Sequence, residues 1–257
     1  MFQAQMTKPV LLIRADGNLD DAQALANLGI ETVIDPYIRI DQATDGTDAD
    51  LMLEALQKPG AKWLIATSVN AIRCFAKLVG AARLREVIGS ADQLRFAAVG
   101  DRTAASLREL GATEVLTPEL SDSSALAEML ADHAVNENGS TAIIPSGLLA
   151  MKTLPNRLEA AGFKLIQGIV YTTVTLEREP ASASSARSGE FSAVIFRSPS
   201  AARAFLSFVP HPPIPLIAAG FTTAKVIEDA GLVVASIPSN PTPNSVAAAV
   251  KSLLEGN

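Results

Sequence analysis

Short apolar runs alternate with amphipathic stretches along the whole chain. Val10 to Arg14 reads as a buried strand. Leu19 to Leu28 follows as a helix, and Gly29 stands just past its end, where glycine tolerates a left-handed turn. Thr32 to Ile40 is the next extended run, and a helix over Asp48 to Gln57 stops at Lys58-Pro59-Gly60. The alternation then repeats: strand Trp63 to Ala66, helix Val69 to Val79, strand Phe96 to Val99, helix Arg102 to Leu110 closed by Gly111, strand Glu114 to Leu116. It continues with helix Ser123 to His133, strand Ala142 to Ile144, helix Leu154 to Ala161 closed by Gly162, and a long extended run from Lys164 to Val174. Glu179 to Gly189 is rich in Ser and Ala, contains Pro180 and reads as a loop or linker. Beyond it come strand Ala193 to Phe196, helix Ala201 to Phe208, strand Pro215 to Ala218, helix Thr222 to Ala230 closed by Gly231, strand Val233 to Ile237 and helix Ser245 to Leu254. Such alternation predicts parallel sheets with helices on both faces.

The chain also repeats itself. Ser68-Val69-Asn70-Ala71-Ile72-Arg73-Cys74-Phe75 matches Ser198-Pro199-Ser200-Ala201-Ala202-Arg203-Ala204-Phe205 at four of eight positions. Gly100 with Thr103, Ala104 and Gly111 matches Gly220 with Thr223, Ala224 and Gly231, and the glycines lie eleven residues apart in both. The strand–helix–Gly–strand unit of 10–36 resembles that of 142–174, but there the order is permuted: one copy opens the chain and the other closes its middle block. Two similar lobes, one inserted in the other, account for this. Lobe one takes residues 1–37 and 176–257, lobe two takes 41–170, and hinge connections run through 38–40 and 171–175. Each lobe then holds five strands, with a cleft expected between the two. The loops after the strands lie at the carboxyl edges of the sheets, where ligands bind in open α/β folds.

Composition narrows the function. The 257 residues carry 27 acidic and 21 basic side chains, a net charge of -6, and no basic stripe of the kind nucleic acid requires. The lone Cys74 forms no internal disulfide, and His133 and His211 stand far apart, so neither metal chemistry nor a Ser-His-Asp triad is indicated. Residues 1–9 lack the apolar core of a signal peptide, and no apolar run nears the roughly 20 residues of a membrane helix. The expectation is a cytoplasmic protein. G-x-G-x-x-G after the first strand, a P-loop and a G-x-S-x-G elbow are all missing.

What remains is a set of small hydroxyls at expected helix starts: Thr67, Ser68, Thr103, Ser121, Ser123, Ser124, Ser146, Ser198, Ser200, Thr222 and Thr223. Helix N-termini present unpaired N–H groups and a partial positive charge, and they bind carboxylate or phosphate. For any one of these residues taken alone, plain capping is the favoured reading. The recurrence in both lobes is what favours a ligand. Tyr171, at the second crossing, could donate a proton or hydrogen bond to a departing hydroxyl, or could be a half-buried strand aromatic. Tyr37, at the first crossing, has the same two readings. Arg14 and Arg197 each follow a strand and could clamp a carboxylate or form a structural ion pair. Arg73 and Arg203 read as exposed-face residues, Trp63 and Cys74 as core, and both histidines as surface.

Taken in order, these residues resemble the uroporphyrinogen-III synthase family over about residues 8 to 255. The resemblance rests on strand-end Arg14, the Thr67-Ser68 turn with Ala71, and Val99-Gly100 with Thr103 and Ala104. It continues through Ser121-Asp122-Ser123, Val170-Tyr171, Ser198-Pro199-Ser200-Ala201, and Gly220 with Thr222, Thr223 and Ala224. It implies two flavodoxin-like lobes, each a five-stranded parallel sheet flanked by helices, joined by a two-stranded hinge. It implies a cofactor-free enzyme of tetrapyrrole biosynthesis whose substrate is hydroxymethylbilane, a linear tetrapyrrole with eight carboxylates. The substrate loses its hydroxyl as water, and ring D is inverted through a spiro intermediate as the macrocycle closes. On this resemblance Tyr171 assists the leaving hydroxyl. Arg14, Thr67, Ser68, Thr103, Ser146, Arg197, Ser198, Thr222 and Thr223 contact substrate. Two features depart from the family pattern: Arg197 stands where threonine is usual, and Pro145 to Lys152 lacks a Gly-Arg spacing, with Lys152 as a substitute. The rival readings are a non-catalytic two-lobed ligand-binding or sensor protein and a receiver-like module. Arg14 at the first strand end, with only Asp16 nearby, disfavours the receiver.

Overall fold

The computed structural model describes residues 8–91, 93–120, 122–134 and 139–256. In chain order its elements are β1 (Val10–Leu12), α1 (Asn18–Ala26), β2 (Thr32–Ile34), β3 (Ile38–Gln42), α2 (Thr47–Gln57), β4 (Lys62–Ala66), α3 (Val69–Val79), α4 (Ala81–Ser90), β5 (Leu94–Ala98), α5 (Asp101–Arg108) and β6 (Val115–Leu116). They continue with α6 (Ser123–Ala134), β7 (Thr141–Gly147), α7 (Thr153–Ala160), β8 (Lys164–Thr175), α8 (Ser182–Arg187), β9 (Ala193–Phe196), α9 (Pro199–Phe208), β10 (Leu216–Ala218), α10 (Phe221–Asp229), β11 (Val234–Ser236) and α11 (Pro243–Glu255).

Contacts divide the chain into two compact units. One ends at Arg39 and resumes at Val174; the other is Ile40–Thr173. Both boundaries fall inside strands, β3 and β8, so these two strands carry the chain from one unit to the other.

The first unit holds the sheet β11-β10-β9-β1-β2, with all its pairs parallel. Numbered along the chain within that unit, the order is 2-1-3-4-5, the flavodoxin arrangement. The second unit holds β3-β8-β7-β4-β5-β6. Without the edge strand β3, it follows the same 2-1-3-4-5 order once β7 is counted first, so the second copy is a circular permutation of the first.

Local geometry agrees with the duplication. Ser68 and Ser198 cap α3 and α9 at φ/ψ of -158°/153° and -156°/154°, and each side chain accepts the N–H three residues on. Gly111 (φ 103°) and Gly231 (φ 77°) both take the left-handed conformation, which glycine reaches without a Cβ penalty.

Each sheet is buried on both faces, as parallel sheets with helical crossovers are. Along β1, Leu11 joins the core that holds Phe196 and Phe205, while Val10 and Leu12 pack with Leu25 and Val250. Along β4, Leu64 and Ala66 face Phe75, and Trp63 and Ile65 face Leu130 and Leu158. Trp63 and Cys74 are core residues, and His133 and His211 are exposed.

The structure corrects the sequence reading in four places. The second sheet has six strands rather than five. Tyr37 accepts the Leu176 N–H, and Ala43 donates to Val170, so β3 runs antiparallel to the second half of β8 and satisfies backbone groups that β7 does not reach. The run Thr32 to Ile40 is not one strand. Pro36 has no N–H and breaks it into β2 and β3. Residues 81–90, left unassigned by the sequence, form α4, which buries Leu84, Val87 and Ile88. Residues 179–189 are not a plain loop, because α8 forms within them and buries Ser182, Ala183 and Ala186. Its first turn is tied by Asp35, whose Oδ2 accepts the Ser182 N–H at 2.7 Å.

Candidate functional site

In the second unit, candidate residues meet at the carboxyl ends of β4, β7 and β8. Past β4 the chain turns through Thr67 and Ser68 into α3. Ser68 Oγ accepts the Ala71 N–H at 3.0 Å and lies 3.2 Å from Tyr171 Oη. Tyr171 is half-buried on β8. β7 and β8 run in register from Thr141↔Lys164 to Ser146↔Ile169, and the register then shifts so that Gly147 pairs with Tyr171. A bulge of this kind re-aims a side chain. Leu148 N–H donates to the Tyr171 carbonyl at 2.9 Å and fixes the backbone there.

Thr67, Ser68, Ser146, Gln167, Met151 and Tyr171 line a pocket of about 200 Å³. Ser146 is buried. Its Oγ donates to the Ile144 carbonyl at 3.3 Å and accepts from Gln167 Nε2 at 3.0 Å, so its orientation is fixed. Ser123 also lines the pocket, and its α6 is capped by Asp122, whose Oδ1 accepts the N–H groups of Ser124 and Ala125. Ser121 lies outside the described residues. Lys152 takes the N-cap position of α7 and makes no side-chain capping bond there.

In the first unit, Arg14 and Arg197 converge on one acid. Asp21 on α1 is 1% exposed; its Oδ2 lies 3.9 Å from Arg14 Nη1 and 3.4 Å from Arg197 Nε. The structural ion pair considered from sequence is therefore present, with two guanidinium groups on a single carboxylate. Asn18 clamps the backbone of Arg14: its Oδ1 accepts the Arg14 N–H and its Nδ2 donates to the Arg14 carbonyl. Ser198 Oγ caps α9 and lies 3.0 Å from Ser200 Oγ. At α10, Thr222 is exposed and Thr223 buried, and the matching Thr103 of α5 is buried too. Of the three threonines only Thr222 shows its side chain to solvent.

Tyr37 is not a counterpart of Tyr171. It is fully buried beside Phe205, with Oη 3.0 Å from Ser182 Oγ. Burial is the main cause that pushes its phenol up to about 12; the Ser182 hydrogen bond lowers it and Asp35 raises it. Because the folded-state value lies above the unfolded one, this group contributes stability in full below about pH 10 and loses it as pH rises toward 12. Thermal melts across that window should show a steeper decline for the native chain than for Tyr37→Phe. Parallel curves would show that the phenol titrates alike in the folded and unfolded states.

Sequence reasoning missed Asp21, Gln167 and Gly147. Asp21 did leave a signal, since Asn18, Asp21, Ala24 and Leu25 share the buried face of α1 at helical spacing. It also missed apolar side chains exposed beside the hydroxyls: Leu148, Leu149 and Met151 after β7, and Phe221, 82% exposed, before Thr222. Among the described residues, no group of three or more His, Cys, Asp or Glu is gathered to hold a metal ion, and no helix is long and apolar enough to cross a membrane.

A family model described as Uroporphyrinogen-III synthase HemD matches residues 20–248. The chain belongs to the uroporphyrinogen-III synthase family. Solved uroporphyrinogen-III synthases share its fold. A mutant form from the extremely thermophilic bacterium Thermus thermophilus superposes with a TM-score of 0.62 at 15% identity, covering 97% of this chain and all of that one. The enzyme from Helicobacter pylori gives a TM-score of 0.64 at 15% identity, covering 96% of this chain and all of that one. Uroporphyrinogen-III synthases are lyases that cyclise hydroxymethylbilane, so the substrate of the family is a small molecule, and nothing found favours the non-catalytic alternative.

Proposed function

We propose that this chain closes hydroxymethylbilane to uroporphyrinogen III through a site in which Tyr171 faces the departing hydroxyl. The reading is carried by one observation: Tyr171 Oη lies 3.2 Å from Ser68 Oγ in a pocket lined with hydroxyls. At about 200 Å³ the pocket is smaller than the 300–1,000 Å³ usual for whole ligands, so it suits one end of the substrate rather than all of it. The phenol gives its proton to the hydroxyl of the terminal hydroxymethyl group and recovers one when ring D, bonded at its formerly free carbon, loses its proton. The C–O bond breaks as the pyrrole nitrogen lone pair pushes in, and the oxygen leaves as water. The resulting cation is attacked by the substituted carbon of ring D, and the spiro product reopens and recloses with ring D inverted.

Ser68 steadies the phenol, while Thr67 and the start of α3 receive substrate carboxylate; Ser146, whose one O–H goes to the Ile144 carbonyl, shapes the pocket wall. In the first unit Ser198 and Thr222 also receive substrate carboxylate, and Arg14 and Arg197 are engaged by Asp21. Thr103 and Thr223 support their helix starts from within. Exposed Leu148, Leu149, Met151 and Phe221 suit the faces of pyrrole rings, because apolar surface left in water gains about 25 cal/mol per Å² when covered. The protein acts as a monomer in the cytoplasm on this small molecule alone, without cofactor, nucleic acid or membrane.

The linear substrate also closes unaided, to the symmetric type I isomer, so the enzyme's task is mainly positioning. Purified protein given freshly made hydroxymethylbilane should yield mainly the type III isomer by chromatography. A product mixture equal to that of the protein-free control would end this reading.

A further inference from the structure

We propose that Gly147 is a positioning residue for Tyr171: the missing side chain at Gly147 is the seat in which the phenol ring rests. This rests on the role given to Tyr171 above. A Cβ built on Gly147 would lie 2.7 Å from Tyr171 Cζ, 3.0 Å from Cε2 and 3.0 Å from Oη. Carbon atoms meet at about 3.5–4.0 Å, so ring and methyl cannot occupy these places together. The clash is with the hydroxyl end of the ring, the part that reaches Ser68.

Two features tie this contact to position rather than to fold. First, the backbone of Gly147 needs no glycine, because its φ lies outside the positive range that side chains avoid. Second, the neighbour that must yield is the tip of a half-buried ring, which can swing outward. Gly168 provides the contrast. A Cβ there would meet Met52 Cε at 2.7 Å and Asp48 Cβ at 2.9 Å, and the latter is held in the helix α2. Filling Gly168 pushes helix from sheet; filling Gly147 pushes the hydroxyl end of the Tyr171 ring from its hydrogen bond.

The register shift after Ser146 serves the same end. Continued in step, β7 would set Gly147 opposite Val170; the bulge sets it opposite Tyr171 instead. Sheet register, glycine and the Ser68 cap together hold the phenol at one point.

The test is a cycle of Gly147→Ala, Tyr171→Phe and the double variant, each assayed for kcat, KM, isomer ratio and Tm. The expected result is that Gly147→Ala lowers kcat by about the same factor as Tyr171→Phe, about 100-fold, with KM changed less than about threefold. The double variant should be no slower than Tyr171→Phe alone, because the hydroxyl that the methyl displaces is already gone. A normal kcat for Gly147→Ala beside a slow Tyr171→Phe would overturn the seat and leave the Tyr171 reading intact. Losses that multiply in the double variant would also overturn it. A normal kcat for Tyr171→Phe would overturn the Tyr171 reading itself. If Gly147→Ala does not fold, Gly147→Ala with Tyr171→Ala decides: recovered Tm shows that the ring is the obstacle, and unrecovered Tm overturns the proposal.

Discussion

Tyr171→Phe should lower kcat by about 100-fold while Tm moves by no more than about 3 °C. The kinetic figure follows from the lower end of general acid catalysis, 10²–10⁴-fold, or about 2.7 kcal/mol of transition-state stabilisation. The stability figure follows from what is removed. Phenylalanine keeps the ring against Gly147 and loses the 3.2 Å contact with Ser68, half-buried on both sides. One such hydrogen bond is worth about 1 kcal/mol net, which in a chain of this size shifts Tm by about 2–4 °C. A second readout is the isomer ratio. As turnover slows, spontaneous closure competes and type I product rises at fixed enzyme concentration. An unchanged kcat would remove Tyr171 from the chemistry.

Asp21→Ala should be among the costlier single changes to stability. The carboxylate is 1% exposed and lies between Arg14 at 3.9 Å and Arg197 at 3.4 Å, and the Arg197 side chain is itself only 11% exposed. Removing the acid leaves a nearly buried guanidinium beside a second one of like charge. Breaking a buried pair by deleting one partner costs about 3–5 kcal/mol, enough to lower Tm by about 10 °C. Replacing Arg197 by Met as well should recover part of the loss, because an apolar chain of similar length no longer needs the acid. A melt of Asp21→Ala within about 2 °C of the native chain would show that water reaches Arg197 and carries its charge. Activity, measured well below the melting point, separates this effect from substrate binding. If Arg14 and Arg197 hold substrate carboxylate once freed from Asp21, KM falls while stability drops.

Much of the architecture was legible because parallel α/β sheets announce themselves in short apolar runs. Val10–Leu12, Trp63–Ala66 and Ala193–Phe196 are buried on both faces and therefore apolar at every position. The duplication was legible for a different reason. Ser68 and Ser198 must be small hydroxyls to cap their helices, and Gly111 and Gly231 must be glycines to turn left-handed, so these positions keep their identity when the core drifts. α4 was equally readable, from Leu84, Val87 and Ile88 at helical spacing, but it follows α3 with only Gly80 between, and one helix masked the next. α8 was not readable. Its six residues carry almost no apolar contrast, and it forms because Asp35 and Tyr37 hold Ser182 from another part of the chain.

The site divides in the same way. The hydroxyls at the helix starts could be named from sequence, because capping and anion binding both demand them at strand-to-helix turns. Which of them face solvent could not. Thr222 and Thr223 are neighbours of the same type, yet the helix turns one outward and the other into the core. Sequence by itself determined the alternation of elements, the nested duplication and the supply of donors at one edge of each sheet, since these follow from local pattern and local backbone need. The tertiary structure alone decided that β3 pairs with β8, that Asp21 joins Arg14 and Arg197, and that Gly147 receives the ring of Tyr171. Those are contacts between residues far apart in the chain, and they depend on sheet register and close packing, which no local pattern encodes.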